Sequence, residues 1–140
     1  MKKKLLVMFM TTAIAISVVA GFSFASSAGN TADTEYEFYN SNSTGNTSGR
    51  SKTNTTKTYI YPKYGPALNY TVQGSKTGSN WENRSSSHTV YNGTKASFTN
   101  FVYENGEAYA RLHLEKTTTA YVWSRGVWSP DSTRNYTIYY

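Results

Sequence analysis

Apolar and polar side chains alternate with a period of two over much of this chain, and no helical spacing appears beyond residue 28. Thr34-Glu35-Tyr36-Glu37-Phe38-Tyr39 sets acids against aromatics, the pattern of a half-exposed strand. Further strand-like runs cover residues 57–64, 67–73, 87–91, 94–104, 107–115, 118–124 and 135–140, separated by turn-forming residues. Short strands at this spacing predict an all-β chain, a small antiparallel β-sandwich of six to eight strands over residues 58–140. Pro62 has no N–H to give a ladder, so the first run of that domain is expected at a sheet edge.

Side-chain directions follow from two Asn-Gly pairs. Asn105-Gly106 between alternating runs is the strongest short-range hairpin signal, because both central residues of a type I′ turn need positive φ. A two-residue loop there sets Tyr103 opposite Ala108, Phe101 opposite Ala110, Thr99 opposite Leu112 and Ser97 opposite Leu114 on a core face. The other face then carries Glu104 opposite Glu107, Val102 opposite Tyr109, Asn100 opposite Arg111 and Phe98 opposite His113. That second face is amphipathic, which makes Phe98, Tyr109 and Arg111 candidates for ligand contact. The same rule at Asn92-Gly93 sets Val90 opposite Lys95 and His88 opposite Ser97, extending the hairpin to a three-stranded meander.

The first 28 residues change the picture of charge and location. Lys2, Lys3 and Lys4 precede an apolar run from Leu5 to Phe24, the layout of a secretory signal, with small residues offering cleavage after Ala25 or Ala28. Cleavage predicts a secreted, extracellular protein with no stable membrane span, and removing the three lysines lowers the net charge from +6 to +3. Residues 29–57 read as a flexible Ser/Thr/Asn-rich segment with one possible strand, because residues 40–58 contain no aliphatic or aromatic side chain. With 13 tyrosines and three tryptophans, the core is expected to be built from rings more than from aliphatics. The absence of cysteine excludes a disulfide scaffold and thiol chemistry.

Little in the chain points to catalysis. The predicted register sends His88 and His113 to opposite faces, so they share neither a metal nor a proton, and no cofactor motif is present. Glu104 and Glu107 flank a turn and read as solvated, while Asp131 after Pro130 reads as turn chemistry. Trp123-Ser124-Arg125-Gly126-Val127-Trp128 is the more informative cluster, with Gly126 reading as a bulge or turn. Trp faces suit sugar rings and Arg supplies a planar donor, so Trp123 and Arg125 join the ligand-binding candidates, Trp128 being the better core residue of the two tryptophans. Export and a small positive charge argue against nucleic acid and for an anionic cell envelope.

Phe101-Val102-Tyr103-Glu104-Asn105-Gly106, Ala108-Tyr109-Ala110 and Gly126-Val127-Trp128-Ser129-Pro130-Asp131-Ser132 resemble a family of small exported Gram-positive bacterial proteins of unknown function. Gly126-Val127-Trp128 and the terminal Tyr139-Tyr140 are similar to segments of the lactococcin 972 family of cationic bacteriocins, from which this chain departs in its greater length and its two histidines. The second likeness implies binding to a cell-wall precursor and blocked septum formation. Two expectations follow: a non-catalytic secreted module binding a cell-wall glycan or an envelope surface protein, or a bacteriocin-like antimicrobial.

Overall fold

The computed structural model describes residues 29–40 and 43–140. The leader expected at 1–28, with both cleavage positions, lies outside the described residues. Five strands lead the chain: β1 (Thr34–Asn40), β2 (Thr44–Asn46), β3 (Arg50–Ser51), β4 (Lys57–Tyr64) and β5 (Leu68–Ser75). Then come β6 (Glu82–Asn83), β7 (His88–Val90), β8 (Ala96–Phe98), β9 (Tyr109–Lys116), β10 (Val122–Ser132) and β11 (Thr137–Tyr139). One sheet has the order β1-β10-β4-β8-β11; the other runs β2-β9-β5-β6, with β3 also on β9 and β7 also on β5. Every pairing is antiparallel except that of β11 with β8.

The two sheets face each other across one core, as the all-β sandwich reading expects. Tyr36, Phe38, Ile60, Phe98, Val122 and Trp128 come from the first sheet and Leu68, Tyr70, Val72, Val90, Leu112 and Leu114 from the second. The alternation read in residues 34–39 is realised, with Tyr36 and Phe38 buried and Glu35, Glu37 and Tyr39 outside. Tyr36 and Tyr70 meet between the sheets, ring edge to face at 6.2 Å and hydroxyl to hydroxyl at 2.7 Å. Burial pushes both phenols up, Tyr70 to about 12.

The segment from Thr94 to Glu107 departs from the expected hairpin. β8 belongs to the first sheet and β9 to the second, so the connection crosses the sandwich. Only Gly106 is left-handed, at φ 69°, whereas a type I′ turn needs Asn105 there as well. The chain instead winds one helical turn, closed by Glu107 N–H to Val102 O (3.1 Å) and Gly106 N–H to Tyr103 O (2.9 Å), the bond pair of a Schellman cap. The faces of the first arm are thereby exchanged: Phe98, Asn100 and Val102 are buried, while Phe101 and Tyr103 are exposed. The second arm keeps its expected direction, with Ala110, Leu112 and Leu114 inward and Tyr109, Arg111 and His113 outward.

Asn92-Gly93 likewise joins strands of different sheets, closed by Thr94 N–H to Tyr91 O (3.1 Å), so no meander forms. Pro62 lies on β4 in the interior of its sheet, contrary to the edge position expected for it. β8 pairs only with residues 58–60, and the ladder to β10 is bulged at Arg125/Gly126, so the missing N–H falls where the ladder is interrupted. The segment read as flexible carries β2 and β3, which lie along the free edge of β9. A sheet edge offers unpaired backbone groups, and a polar segment satisfies them without burying apolar surface.

Buried charge fixes this edge. Asp131, expected at a turn, is fully buried and accepts from Lys52 Nζ (2.7 Å), Asn30 N–H (2.8 Å), Thr53 N–H (3.0 Å) and Thr53 Oγ1 (2.9 Å). Glu107, expected to be solvated, is buried and takes two bonds from Arg84, at 2.8 Å to Nε and 2.6 Å to Nη2. Glu104 is exposed as read.

Candidate functional site

The five residues singled out by sequence do not converge. Phe98 is a fully buried core residue, removed from candidacy by the crossover that exchanges the faces of its strand. Tyr109 and Arg111 lie on the outer face of the second sheet, where Arg111 stacks 4.5 Å over Trp81 and its Nε donates to Gln73 Oε1 at 2.8 Å. Trp123 and Arg125 lie outward on β10 in the first sheet, on the opposite side of the sandwich. Trp128 fills the core, in line with its reading as the buried tryptophan of the pair.

Trp123 and Arg125 stand at an exposed aromatic corner that sequence showed only in part. β1 brings Tyr39 opposite Trp123 and Glu37 opposite Arg125, while β4 brings Tyr64 opposite Arg125. Trp123 packs against Tyr64 with ring centres 4.7 Å apart, and its Nε1–H donates to Glu37 Oε1 at 2.5 Å. The Arg125 guanidinium lies 5.7 Å from the Trp123 ring and 5.8 Å from the Tyr64 ring. Tyr39 in turn meets Tyr121 edge to face at 5.0 Å. Ser124, buried between these outward residues, donates its hydroxyl to Tyr64 O at 3.0 Å and so ties β10 to the end of β4.

The corner depends on the bulge. At Gly126 the chain passes so close to Tyr61 O, Pro62 and the Tyr36 hydroxyl that a side chain would collide with backbone. Glycine is therefore needed for the bulge that places Arg125 against Tyr64. Beside it opens a cleft of about 510 Å³ lined by Glu35, Tyr36, Glu37, Lys63, Arg125 and Gly126, within the usual size of ligand clefts. Tyr39, Tyr121, Tyr64 and Trp123 remain 65, 60, 47 and 39% exposed, although packing against one another has already covered part of each ring. Four large rings left open in one corner make it the candidate interaction surface.

Tyr64, Tyr39, Tyr121 and Glu37 were not singled out by sequence. Glu37 and Tyr39 follow from the period-two pattern of β1, which fixes their direction. Tyr121 stands two residues before Trp123, on the same alternation, whereas Tyr64 depends on its pairing with Arg125 far along the chain, which no local pattern reveals.

The histidines point apart, His113 Nδ1 to Asn46 Oδ1 at 2.9 Å and His88 Nε2 to Tyr140 O at 2.8 Å. Among the described residues no three His, Asp or Glu side chains come together as metal ligands. No helix among them is long and apolar enough to cross a membrane.

These features define a small cysteine-free β-sandwich with an exposed aromatic and cationic corner on one sheet. The chain belongs to a family of proteins of unknown function, DUF2712, whose profile matches residues 21–132. The likeness to a family of unknown function carried by residues 101–110 and 126–132 is thereby borne out, and nothing bears on the bacteriocin likeness. Comparison with the curated proteins and with the solved structures finds no match.

Proposed function

We propose that this protein is a secreted, non-catalytic module that binds a cell-envelope glycan through the corner formed by Trp123, Tyr64, Tyr39 and Tyr121. The observation that carries this reading is the exposure of four rings beside a cleft lined by two cations, Lys63 and Arg125, and two carboxylates, Glu35 and Glu37. Ring faces offer flat apolar area at little entropic cost, on which the C–H faces of sugars stack. Arg125 donates to ring oxygens, hydroxyls or acid groups, and Glu37 accepts from hydroxyls, which supplies the few polar contacts that orient a ligand. A non-catalytic role is supported by the placement of the charged groups. Both histidines are engaged away from the corner, Asp131 is held in a buried ion pair, and Glu107 is paired with the half-buried Arg84.

The exported chain should co-sediment with isolated Gram-positive cell walls. Trp123→Ala and Arg125→Ala, both at outward positions, should each weaken that binding about tenfold, as loss of about 1.4 kcal/mol implies. Their far-ultraviolet circular dichroism should match the parent. Wall binding unchanged in both variants would overturn the reading, and growth arrest of related strains by the purified chain would replace it with that of a secreted antimicrobial.

A further inference from the structure

The outer face of the first sheet continues past the aromatic corner as a row of cations seated on tyrosine rings. Tyr61 has two lysines over it, Lys63 Nζ at 5.8 Å and Lys95 Nζ at 5.6 Å from the ring centre. The β4–β8 register that pairs Tyr59 with Ser97 extends to set Lys95 opposite Tyr61, and Lys63 lies two residues along β4, so all three share one face. Lys95 also stands 5.3 Å from the ring of Tyr136. Lys63 and Arg125 line the same cleft, which joins this row to the corner.

None of these three cations forms an ion pair, although Glu35 and Glu37 line the same cleft as Lys63 and Arg125. The ion pairs among the described residues are Lys52–Asp131, Arg84 with Glu82 and Glu107, and Arg134–Asp33. Arg125, Lys63 and Lys95 belong to no such pair, although each is seated on at least one ring. Of the acids of the face, Asp33 is paired with Arg134, Glu35 and Glu37 on β1 border the cleft of Lys63 and Arg125, and Lys95, just before β8, lies two strands beyond β10 from them.

Alternating cations and rings call for a ligand that alternates anions with apolar faces. We propose that this row binds an anionic envelope polymer of phosphodiester-linked polyol or sugar units, its phosphates on Arg125, Lys63 and Lys95 and its carbon faces against Tyr61 and Tyr136. A neutral glycan would leave Lys63 and Lys95 without a partner. Ring and cation each retain a role in such a complex, because the polymer's carbon faces and its charges meet different groups. The inference rests on the envelope-binding reading above and adds to it the charge of the polymer and a second part of the site.

The test uses the full exported chain with soluble poly(glycerol phosphate) as probe, and isolated walls before and after acid removal of their phosphate polymers. Binding to poly(glycerol phosphate) should weaken linearly in log–log salt plots, with a slope of about −2 for three contacts, by analogy with single-stranded polyanions. Lys63→Gln together with Lys95→Gln should cost about tenfold or more and flatten that slope by about 1.4, two contacts' worth. Lys63→Arg with Lys95→Arg should retain binding. Stripped walls should still be bound through the Trp123 corner, equally by parent and Lys63→Gln/Lys95→Gln, so failure of one site is distinguished from failure of the other. Absence of binding to the phosphate polymer, or binding that the glutamine pair leaves unchanged, would overturn the proposal. Equal affinity for a single-stranded oligonucleotide would also overturn it, by showing a general polyanion surface.

Discussion

Asp131→Ala should be the most damaging single change in the chain that touches no hydrophobic side chain. Its carboxylate and the Lys52 ammonium are fully shielded from solvent, and the same carboxylate receives two backbone N–H groups and the Thr53 hydroxyl. Truncation leaves a buried ammonium with only Thr56 O, at 2.5 Å, and orphans the N–H groups of Asn30 and Thr53. Breaking a buried pair in this way costs about 3–5 kcal/mol. For a domain whose whole stability is about 5–15 kcal/mol, that is a large fraction, and at about 4 °C per kcal/mol it lowers Tm by about 12–20 °C. Urea denaturation of parent, Lys52→Met, Asp131→Ala and the double variant measures it. The double variant should be more stable than the less stable single, because it leaves no unpaired charge. A loss below about 1 kcal/mol in both singles, or strict additivity, would refute the reasoning.

The same pair sets an acid limit. Burial alone would raise the Asp131 carboxyl, but the bond from Lys52 and the backbone N–H groups of Asn30 and Thr53 outweigh it and hold it below the usual range. A carboxyl depressed in the folded state contributes stability above its unfolded pKa of about 3.9 and loses it as pH falls through the folded value. This contribution should therefore be level from neutral pH to about 4 and decline below, a dependence that Asp131→Asn should lessen in parallel urea series.

Tyr36→Phe should cost about 0.5–1.5 kcal/mol by removing one of the two hydroxyl partners of buried Tyr70, Ser124 remaining, and a double-mutant cycle with Tyr70→Phe should show the two tyrosines coupled. In an alkaline absorbance titration, Tyr36 and Tyr70 should ionise only above the ordinary tyrosine range, and a complete single-step titration near 10 would contradict this. Gly106→Ala has open space for its Cβ, so its cost of about 1–2 kcal/mol should be conformational alone, from the positive φ of the Schellman cap, and it is read from the urea midpoint.

Elements that bury one face were legible in the sequence. The acid–aromatic alternation of β1 and the apolar alternation of β9 each fixed which side chains enter the core, and residues 57–64 were read with the bounds that β4 has. What failed was long-range. Asn105-Gly106 was read as a hairpin because its flanks alternate, yet both alternations are satisfied when the flanks enter opposite sheets around a helical turn. β2 and β3 escaped because an edge strand held by backbone bonds needs no apolar residue. At the candidate site, Trp123 and Arg125 were visible in one hexapeptide, whereas Tyr64 and Lys95 reach the same face only through the register of β4 with β10 and β8.

The corner's role is tested most directly by the fluorescence of Trp123 during titration of the protein with solubilised wall glycan. Trp123 is 39% exposed and Trp128 only 1%, and Trp81 lies under Arg111 on the other sheet, so ligand stacking on the corner should blue-shift emission from Trp123 while Trp81 and Trp128 stay constant. The account predicts a saturable shift that disappears in Trp123→Phe and is accompanied by weakened binding. Saturable binding without a shift, or an equal shift in Trp123→Phe, would contradict it.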